Sequence, residues 1–190
     1  MRTIRTERLR LEPVTAANAG TLWDLLQEPG LRDYQDLPEV NRAQFLRTVG
    51  SRPTRFGPGA TGRFEWLMHF GDDKKPLGWI SLRIAESSRA TAEIGYSVVS
   101  AHRGRGFASE AVAALVEEGF RRTRVQRIRA YCLPENAPSR AVLRRNGFED
   151  DGMLPRGATV AGKPVDVILH SLERARWAAG TSANQQATRS

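Results

Sequence analysis

Ile94, Tyr96 and Val98 alternate with Glu93, Gly95 and Ser97, the period of two expected of a strand with one buried face, and this period recurs along the chain. Leu9 and Leu11 alternate with charged residues in a first strand that Pro13 stops. Phe64, Trp66, Met68 and Phe70 alternate with Arg63, Glu65, Leu67 and His69 in a second, and Leu77 to Ala85 return from the polar turn 71–76 as a third. Residues 86–90 turn once more into the strand carrying Glu93, so three consecutive strands make an antiparallel meander. Val125 to Leu133 form a further strand, and Phe148 to Leu154 with Val165 to Leu172 form a last hairpin around Gly162-Lys163-Pro164.

Elsewhere a spacing of three and four predicts helices. Thr15 is the expected cap of a short helix bearing Leu22, Trp23, Leu25 and Leu26, which ends near Pro29-Gly30. From Leu31 to Arg52 the pattern loosens, although Val40, Phe45, Leu46 and Val49 supply one apolar face of a second helix before the loop 51–59. Ala108, Ala111, Val112, Leu115, Val116 and Phe120 give the longest helix, from about Gly104 to Arg122. It connects the strand of Glu93 to Val125–Leu133, so those two strands can lie parallel with the helix as crossover. Residues 134–138 open a short helix that Asn146-Gly147 closes. One domain is expected over 1–178, with the polar, aperiodic stretch 179–190 as a disordered tail.

The turn between the Glu93 strand and the long helix, Ser100-Ala101-His102-Arg103-Gly104-Arg105-Gly106-Phe107-Ala108-Ser109, carries the first chemical signal. Two glycines remove side chains that would hold an anion away from the backbone, and Arg103 and Arg105 stand beside a helix N-terminus whose N–H groups are unpaired. The pattern fits phosphate. It is not a P-loop, because the Lys-Ser/Thr pair is missing. A dinucleotide fingerprint matches Gly104-x-Gly106-x-x-Ser109 only in part: the acid, Glu135, comes late, the third glycine is absent, and no further alternation of strands and helices follows.

Arg103-x-x-Gly106-x-Ala108 resembles the pyrophosphate turn of the GNAT superfamily of acyl-CoA-dependent N-acyltransferases. About thirty residues on, Asn136-x-x-Ser139-x-x-Val142-Leu143-x-x-Asn146-Gly147-Phe148 resembles that superfamily's second coenzyme-contacting helix, in the form found in the RimJ/RimL-like branch. The resemblance implies an α/β (α+β) fold: a mixed, mostly antiparallel sheet with a central splayed parallel strand pair and flanking helices. It also implies acetyl-CoA, or another short acyl-CoA, as cosubstrate and a primary amine as acceptor. That amine would be a protein N-terminal α-amine, a lysine or a small molecule.

Composition narrows the picture a little. The 29 basic and 21 acidic residues give a formal charge of +8, which favours acidic ligands, but the arginines are scattered rather than gathered in a nucleic-acid stripe. The single cysteine, Cys132, cannot form an internal disulfide and reads as a small core residue. No apolar run approaches membrane-spanning length and no signal-peptide core follows Met1, so a cytoplasmic protein is expected. His69, His102 and His170 are solitary, and no metal site is expected.

Acyl transfer from a thioester to an amine requires a bound coenzyme, a neutral amine and somewhere for developing charge to go. The backbone of Gly104, Arg105, Gly106, Phe107, Ala108 and Ser109, with the side chains of Arg103 and Arg105, is the expected pyrophosphate site. The resemblance adds backbone groups of Val98 and Val99, where parallel strands splay, for the pantetheine arm, and Asn136 on its other side. Glu93 is the first candidate for the base and a strand carboxylate in an ion pair its plainer reading; Glu65 is the reserve, and many members of the superfamily use no single base. Much of the superfamily protonates the thiolate with a tyrosine seven residues after the asparagine, where this chain has Leu143. Ser139 takes that role by resemblance, with helix capping as the alternative. Tyr131 reads as packing, and Arg144 and Arg145 as a solvated face or as contacts to adenosine phosphates. Two other classes remain open: a coenzyme-A-binding regulator without turnover, and an RNA-binding module suggested by charge alone. A homodimer is compatible with the acyltransferase reading and with both alternatives.

Overall fold

A computed structural model of the chain describes residues 1–31, 40–160 and 162–187. Part of the loosely patterned stretch 31–52 and the last residues of the expected tail lie outside the described residues. Among the described residues, eight strands form one sheet in the order β1-β2-β3-β4-β5-β6-β8-β7. Two short antiparallel strands, β1 (Ile4–Arg5) and β2 (Leu9–Pro13), lead through helices α1 (Ala19–Leu26) and α2 (Arg42–Gly50) to the meander β3 (Gly62–Phe70), β4 (Gly78–Ile84) and β5 (Thr91–Val98). After a 3-10 turn at Ser100–His102 come α3 (Phe107–Arg122), β6 (Arg127–Cys132), α4 (Ala137–Arg145), the hairpin β7 (Glu149–Val160) and β8 (Lys163–Glu173), and α5 (Arg174–Ala187). The fold is the mixed, mostly antiparallel α/β arrangement expected. α5 runs to Ala187, inside the stretch read as a tail.

The two periods explain how the layers assemble. On one face of the sheet Phe64, Trp66, Met68, Ile80, Leu82, Ile84 and Ile94 meet Ala111, Val112, Leu115, Val116 and Phe120 of α3. On the other face Leu67 and Trp79 are covered by Leu22, Leu25 and Leu26 of α1 and Phe45 and Val49 of α2. β3 is therefore buried on both sides from Phe64 to His69, where alternation suggested one buried face, because α1 and α2 cover the second. Burying a leucine- or phenylalanine-sized side chain contributes about 2 kcal/mol, so this double layer supplies most of what holds the meander.

Local corrections have local causes. Thr15 does not cap α1; the residue before the helix is Asn18, whose side chain accepts from the Thr15 N–H at 2.8 Å and so closes the preceding turn instead. α2 carries a reciprocal capping box, Asn41 accepting from Gln44 N–H and Gln44 accepting from Asn41 N–H. α3 begins at Phe107 rather than Gly104, because Gly104 and Gly106 sit at φ +74° and +82°.

The one parallel pairing is short. β5 and β6 share three rungs, Thr91 with Arg127, Ala92 with Ile128 and Glu93 with Arg129. Beyond Glu93 and Arg129 no pairing continues, although β5 runs on to Val98 and β6 to Cys132. A wedge opens there, pointing at the start of α3.

Candidate active site

At the wide end of the wedge lies the glycine turn. Gly106 precedes α3 with no side chain capping the helix, so its first N–H groups face outward with the positive end of the helix dipole. Among the described residues, a Cβ built on Gly104 would meet nothing within 4 Å, and one on Gly106 would meet only Arg8 Nη2 at 3.2 Å. Residues 103–106 are exposed, while Phe107 is buried and anchors the helix below them. The turn is an open cradle. Ser109 Oγ accepts from Asn146 Nδ2 at 3.1 Å and ties α3 to the end of α4, and Ala108 packs against the core.

The two arginines of the turn behave differently. Arg103 donates from Nε to Val98 O at 2.9 Å and from Nη2 to Gly30 O at 2.8 Å, so it fastens the end of β5 to the loop after α1. Arg105 stacks its guanidinium 5.0 Å from the Phe107 ring and approaches His102 Nδ1 at 3.4 Å, leaving it beside the cradle. A third arginine joins them from far upstream. Arg8 donates to Arg105 O at 3.0 Å and lies 4.9 Å over Phe107, while its amide and Nε hold Glu110 at 2.8 and 2.7 Å. Arg8 belongs to no motif and stands in the sequence only as a charged residue just before β2.

Along the wedge, backbone direction selects which groups are available. Val99 N–H donates to Leu77 O at 2.9 Å and Ala85 N–H to Thr91 O at 3.1 Å, so odd-numbered residues of β5 bond to β4. The even-numbered Tyr96 and Val98 therefore turn their backbone toward the gap left by β6, where Arg103 Nε takes Val98 O and the Val98 N–H and both Tyr96 groups face the wedge. Of the expected pair, Val98 faces the wedge and Val99 is committed to β4.

α4 closes the wedge from the β6 side. Asn136 caps it, accepting from Ser139 N–H at 3.1 Å, so the capping alternative considered for Ser139 belongs to Asn136. The Ser139 hydroxyl is left free to bridge the strands, 2.9 Å from Tyr96 Oη and 3.4 Å from Cys132 Sγ. Tyr96 also donates to Ser139 O at 3.2 Å. Burial pushes the Tyr96 phenol and the Cys132 thiol above their ordinary values, with Ser139 opposing in both cases, so both stay protonated at neutral pH. Leu143 is fully buried in the core, and Tyr96 brings a phenol to the wedge from another strand. Tyr131 is exposed rather than packed, because its alternation with Cys132 turns it away from α3 and α4. Arg144 and Arg145 are exposed on α4.

At the apex stand the carboxylates. Glu93, on the last paired rung, takes Arg83 Nη2 at 2.5 Å and keeps its side chain 34 % exposed. Glu65, one row along on β3, is only 6 % exposed and is held by Arg52, with Arg63 at 3.7 Å. Glu93 thus meets solvent at the apex, whereas Glu65 fastens the loop after α2 to the sheet. No group of His, Cys, Asp and Glu among the described residues could hold a metal.

Residues 8–149 match the family profile described as Acetyltransferase (GNAT) domain. The uncharacterized N-acetyltransferase p20 of Bacillus licheniformis is 30% identical over 179 residues, 94% of this chain and 99% of that protein. The ribosomal-protein-serine acetyltransferase of Escherichia coli is 32% identical over 110 residues, 58% of this chain and 61% of its own. Among solved structures, Mycobacterium smegmatis RimJ in complex with CoA-disulfide superposes with a TM-score of 0.73 at 21% identity, covering 95% of each chain.

Proposed function

Because the chain belongs to the GNAT acetyltransferase family, in its RimJ/RimL-like branch, we propose that it moves an acetyl group from acetyl-CoA to a primary amine by direct attack in a ternary complex. The observation that carries this reading is the wedge between β5 and β6 opening onto an uncapped α3 N-terminus. Amides from Gly104 to Ser109 and the Arg105 guanidinium hold the pyrophosphate, and the backbone of Tyr96 and Val98 with Asn136 brackets the pantetheine arm. Arg8 and Arg103 keep that cradle in shape.

The thioester then lies along the wedge with its carbonyl toward the apex. Glu93 accepts the amine proton, directly or through a water, as the nitrogen attacks. The leaving sulfur emerges beside Ser139, whose hydroxyl, backed by Tyr96, donates to the developing thiolate. One acyltransferase domain, with α5 continuing past residue 178, fits the single continuous sheet; among the described residues no helix is long and apolar enough to cross a membrane. Ribosomal-protein acetyltransferases among the relatives make a protein N-terminal amine the favoured acceptor.

The test is release of free CoA thiol when the purified protein receives acetyl-CoA and a panel of amines. Thiol release dependent on amine supports the proposal. Coenzyme binding with silence across the panel marks a regulator that keeps the fold without turnover.

A further inference from the structure

Register lines up four charged residues in one row across the face of the sheet opposite α3: Arg63 of β3, Arg83 of β4, Glu93 of β5 and Arg129 of β6. Their strand neighbours Phe64, Leu82, Ile94 and Ile128 point the other way into the core. This row is also the last rung before the wedge, so it borders the place where an acceptor amine must arrive.

Among the described residues, Arg52, Arg63, Arg83 and Arg129 in this part of the face meet only two carboxylates, Glu65 and Glu93. Arg83 is paired with Glu93 and Arg52 with Glu65. Among the described residues the carboxylate nearest Arg63 is Glu65, whose Oε1 lies 3.7 Å away in a loose ion pair while its Oε2 is held by Arg52. Burial pulls the Arg63 guanidinium below its ordinary value, Glu93 opposes this and Arg83 adds to it, so Arg63 senses the row without a bonded partner in it. The Arg129 side chain has no hydrogen bond or ion pair with any described residue, and its Nε is buried without a partner. Its neighbour on the same face, Arg127, is matched across the sheet by Glu173, but opposite Arg129 the sheet presents Ser171. Among the described residues one guanidinium is thus left without a partner and another shares its carboxylate, so both can take a further anion.

From these observations we infer that the acceptor is a primary amine carrying a carboxylate close by, the chemistry of a peptide N-terminus with an acidic side chain at its second or third residue. The inference rests on the acyl-transfer reading and names the acceptor for it. Adjacent strands are about 4.8 Å apart, so Arg129 stands about one strand spacing from Glu93 and Arg63 about two. An extended peptide advances about 3.3 Å per residue, so an amine at Glu93 puts its second and third side chains within reach of either arginine. The same surplus repels polycationic amines and lysine-rich peptides.

The experiment measures kcat/KM with C-terminally amidated peptides that share a first residue and carry Asp, Asn or Lys at positions two and three, with spermidine as a polycation and free aspartate as a small amine. The acidic peptide is expected to exceed the lysine peptide by about tenfold or more at low salt, as unit charges about 5–10 Å apart at intermediate dielectric allow. Added salt narrows the gap. In Arg129→Gln, and independently in Arg63→Gln, the Asp-to-Asn ratio falls toward one while the KM for acetyl-CoA holds. Turnover of free aspartate equal to that of the peptide would assign the subsite to small amino acids, supporting the carboxylate and overturning the peptide. Thiol release from neutral peptides or spermidine at the acidic peptide's rate, or a ratio unchanged in both variants, overturns the inference and leaves acyl transfer standing. Silence with every amine overturns both.

Discussion

Arg83 on β4 and Glu93 on β5 face each other directly across the strands and bond, Nη2 to Oε2, at 2.5 Å on the rung where the parallel pairing ends. The arginine holds the carboxylate at the apex of the wedge. Glu65 is engaged differently, nearly buried under Arg52. The two carboxylates named as bases therefore separate into one with solvent access and one that fastens a loop.

Glu93→Gln is expected to lower kcat about a hundredfold, the lower end of what a positioned base contributes, with the KM for acetyl-CoA little changed. An N-terminal α-amine has a pKa of about 7.7–8.0, so raising the pH supplies neutral nucleophile and recovers part of the loss. Rate profiles from pH 6.5 to 9.5 check this; a loss of equal size at every pH would remove Glu93 from proton transfer. Glu65→Gln, in contrast, strands Arg52 and is expected to cost about 3 kcal/mol of stability, read by denaturant unfolding, with a smaller effect on kcat.

Gly106 stands at φ +82° with Arg8 Nη2 3.2 Å from where its Cβ would be. Gly106→Val places a branched side chain on the floor of the cradle. Acetyl-CoA affinity is expected to fall at least tenfold by calorimetry, beyond the roughly 1–2 kcal/mol of strain that any side chain incurs in the left-handed region. Gly162→Ala is the control: its φ is +74°, no described atom lies within 4 Å, and it joins β7 to β8 at the far edge of the sheet. It loses stability without losing affinity. Equal affinities in the Gly106 variant and the natural chain would show that phosphate does not approach this backbone.

The meander and the long helix were legible because their patterns are local: Phe64, Trp66 and Met68 alternate on one strand, and Ala111, Leu115 and Val116 recur within one helix. The contacts that build the site are not local. Tyr96 meets Ser139 across 43 residues, and Arg8 reaches Arg105 across 97 and Glu110 across 102. Leu143 announced in sequence that the usual tyrosine was missing, but only strand register shows that Tyr96 brings a phenol to the same wedge. Arg63, Arg83, Glu93 and Arg129 are spread over 67 positions and form one row only once the sheet is assembled. Thr15 and Asn18 are both good cap residues, and pattern cannot choose between two cap formers one turn apart.

Glu110 links the cradle to acid stability. Burial raises its carboxyl, but the hydrogen bonds from the Thr6 hydroxyl and from the Arg8 amide and guanidinium outweigh burial and leave it below the ordinary 4.5. A depressed folded value means that its stabilisation is complete above the unfolded value and disappears as pH falls through the folded one. Glu110→Gln is expected to be less stable than the natural chain by about 1–2 kcal/mol at pH 7. The difference narrows as pH falls through the ordinary 4.5 and closes as it passes the lower folded value, where acid also removes it from the natural chain. Urea unfolding at pH 7, 5 and 3.5 reads this directly, and a gap independent of pH would contradict it.

The hydroxyls of Ser139 and Tyr96, 2.9 Å apart, separate proton supply from binding. Ser139→Ala removes the group beside the emerging sulfur and leaves Asn136 to cap α4 through the Ser139 backbone, so the helix should persist. kcat is expected to fall by about one to two orders of magnitude, the size of one lost donor to developing charge, with the KM for acetyl-CoA near its original value. Tyr96→Phe leaves Ser139 in place without its backing partner, and a smaller fall is expected. If both hydroxyls act as one relay, the double variant is no slower than Ser139→Ala; if they act independently, the losses multiply. A thioester with a better leaving thiol needs less help from a donor, and should shrink the Ser139→Ala defect while leaving that of Glu93→Gln. Should the serine defect survive that change of leaving group, the hydroxyl serves the shape of the wedge and not the departure of sulfur.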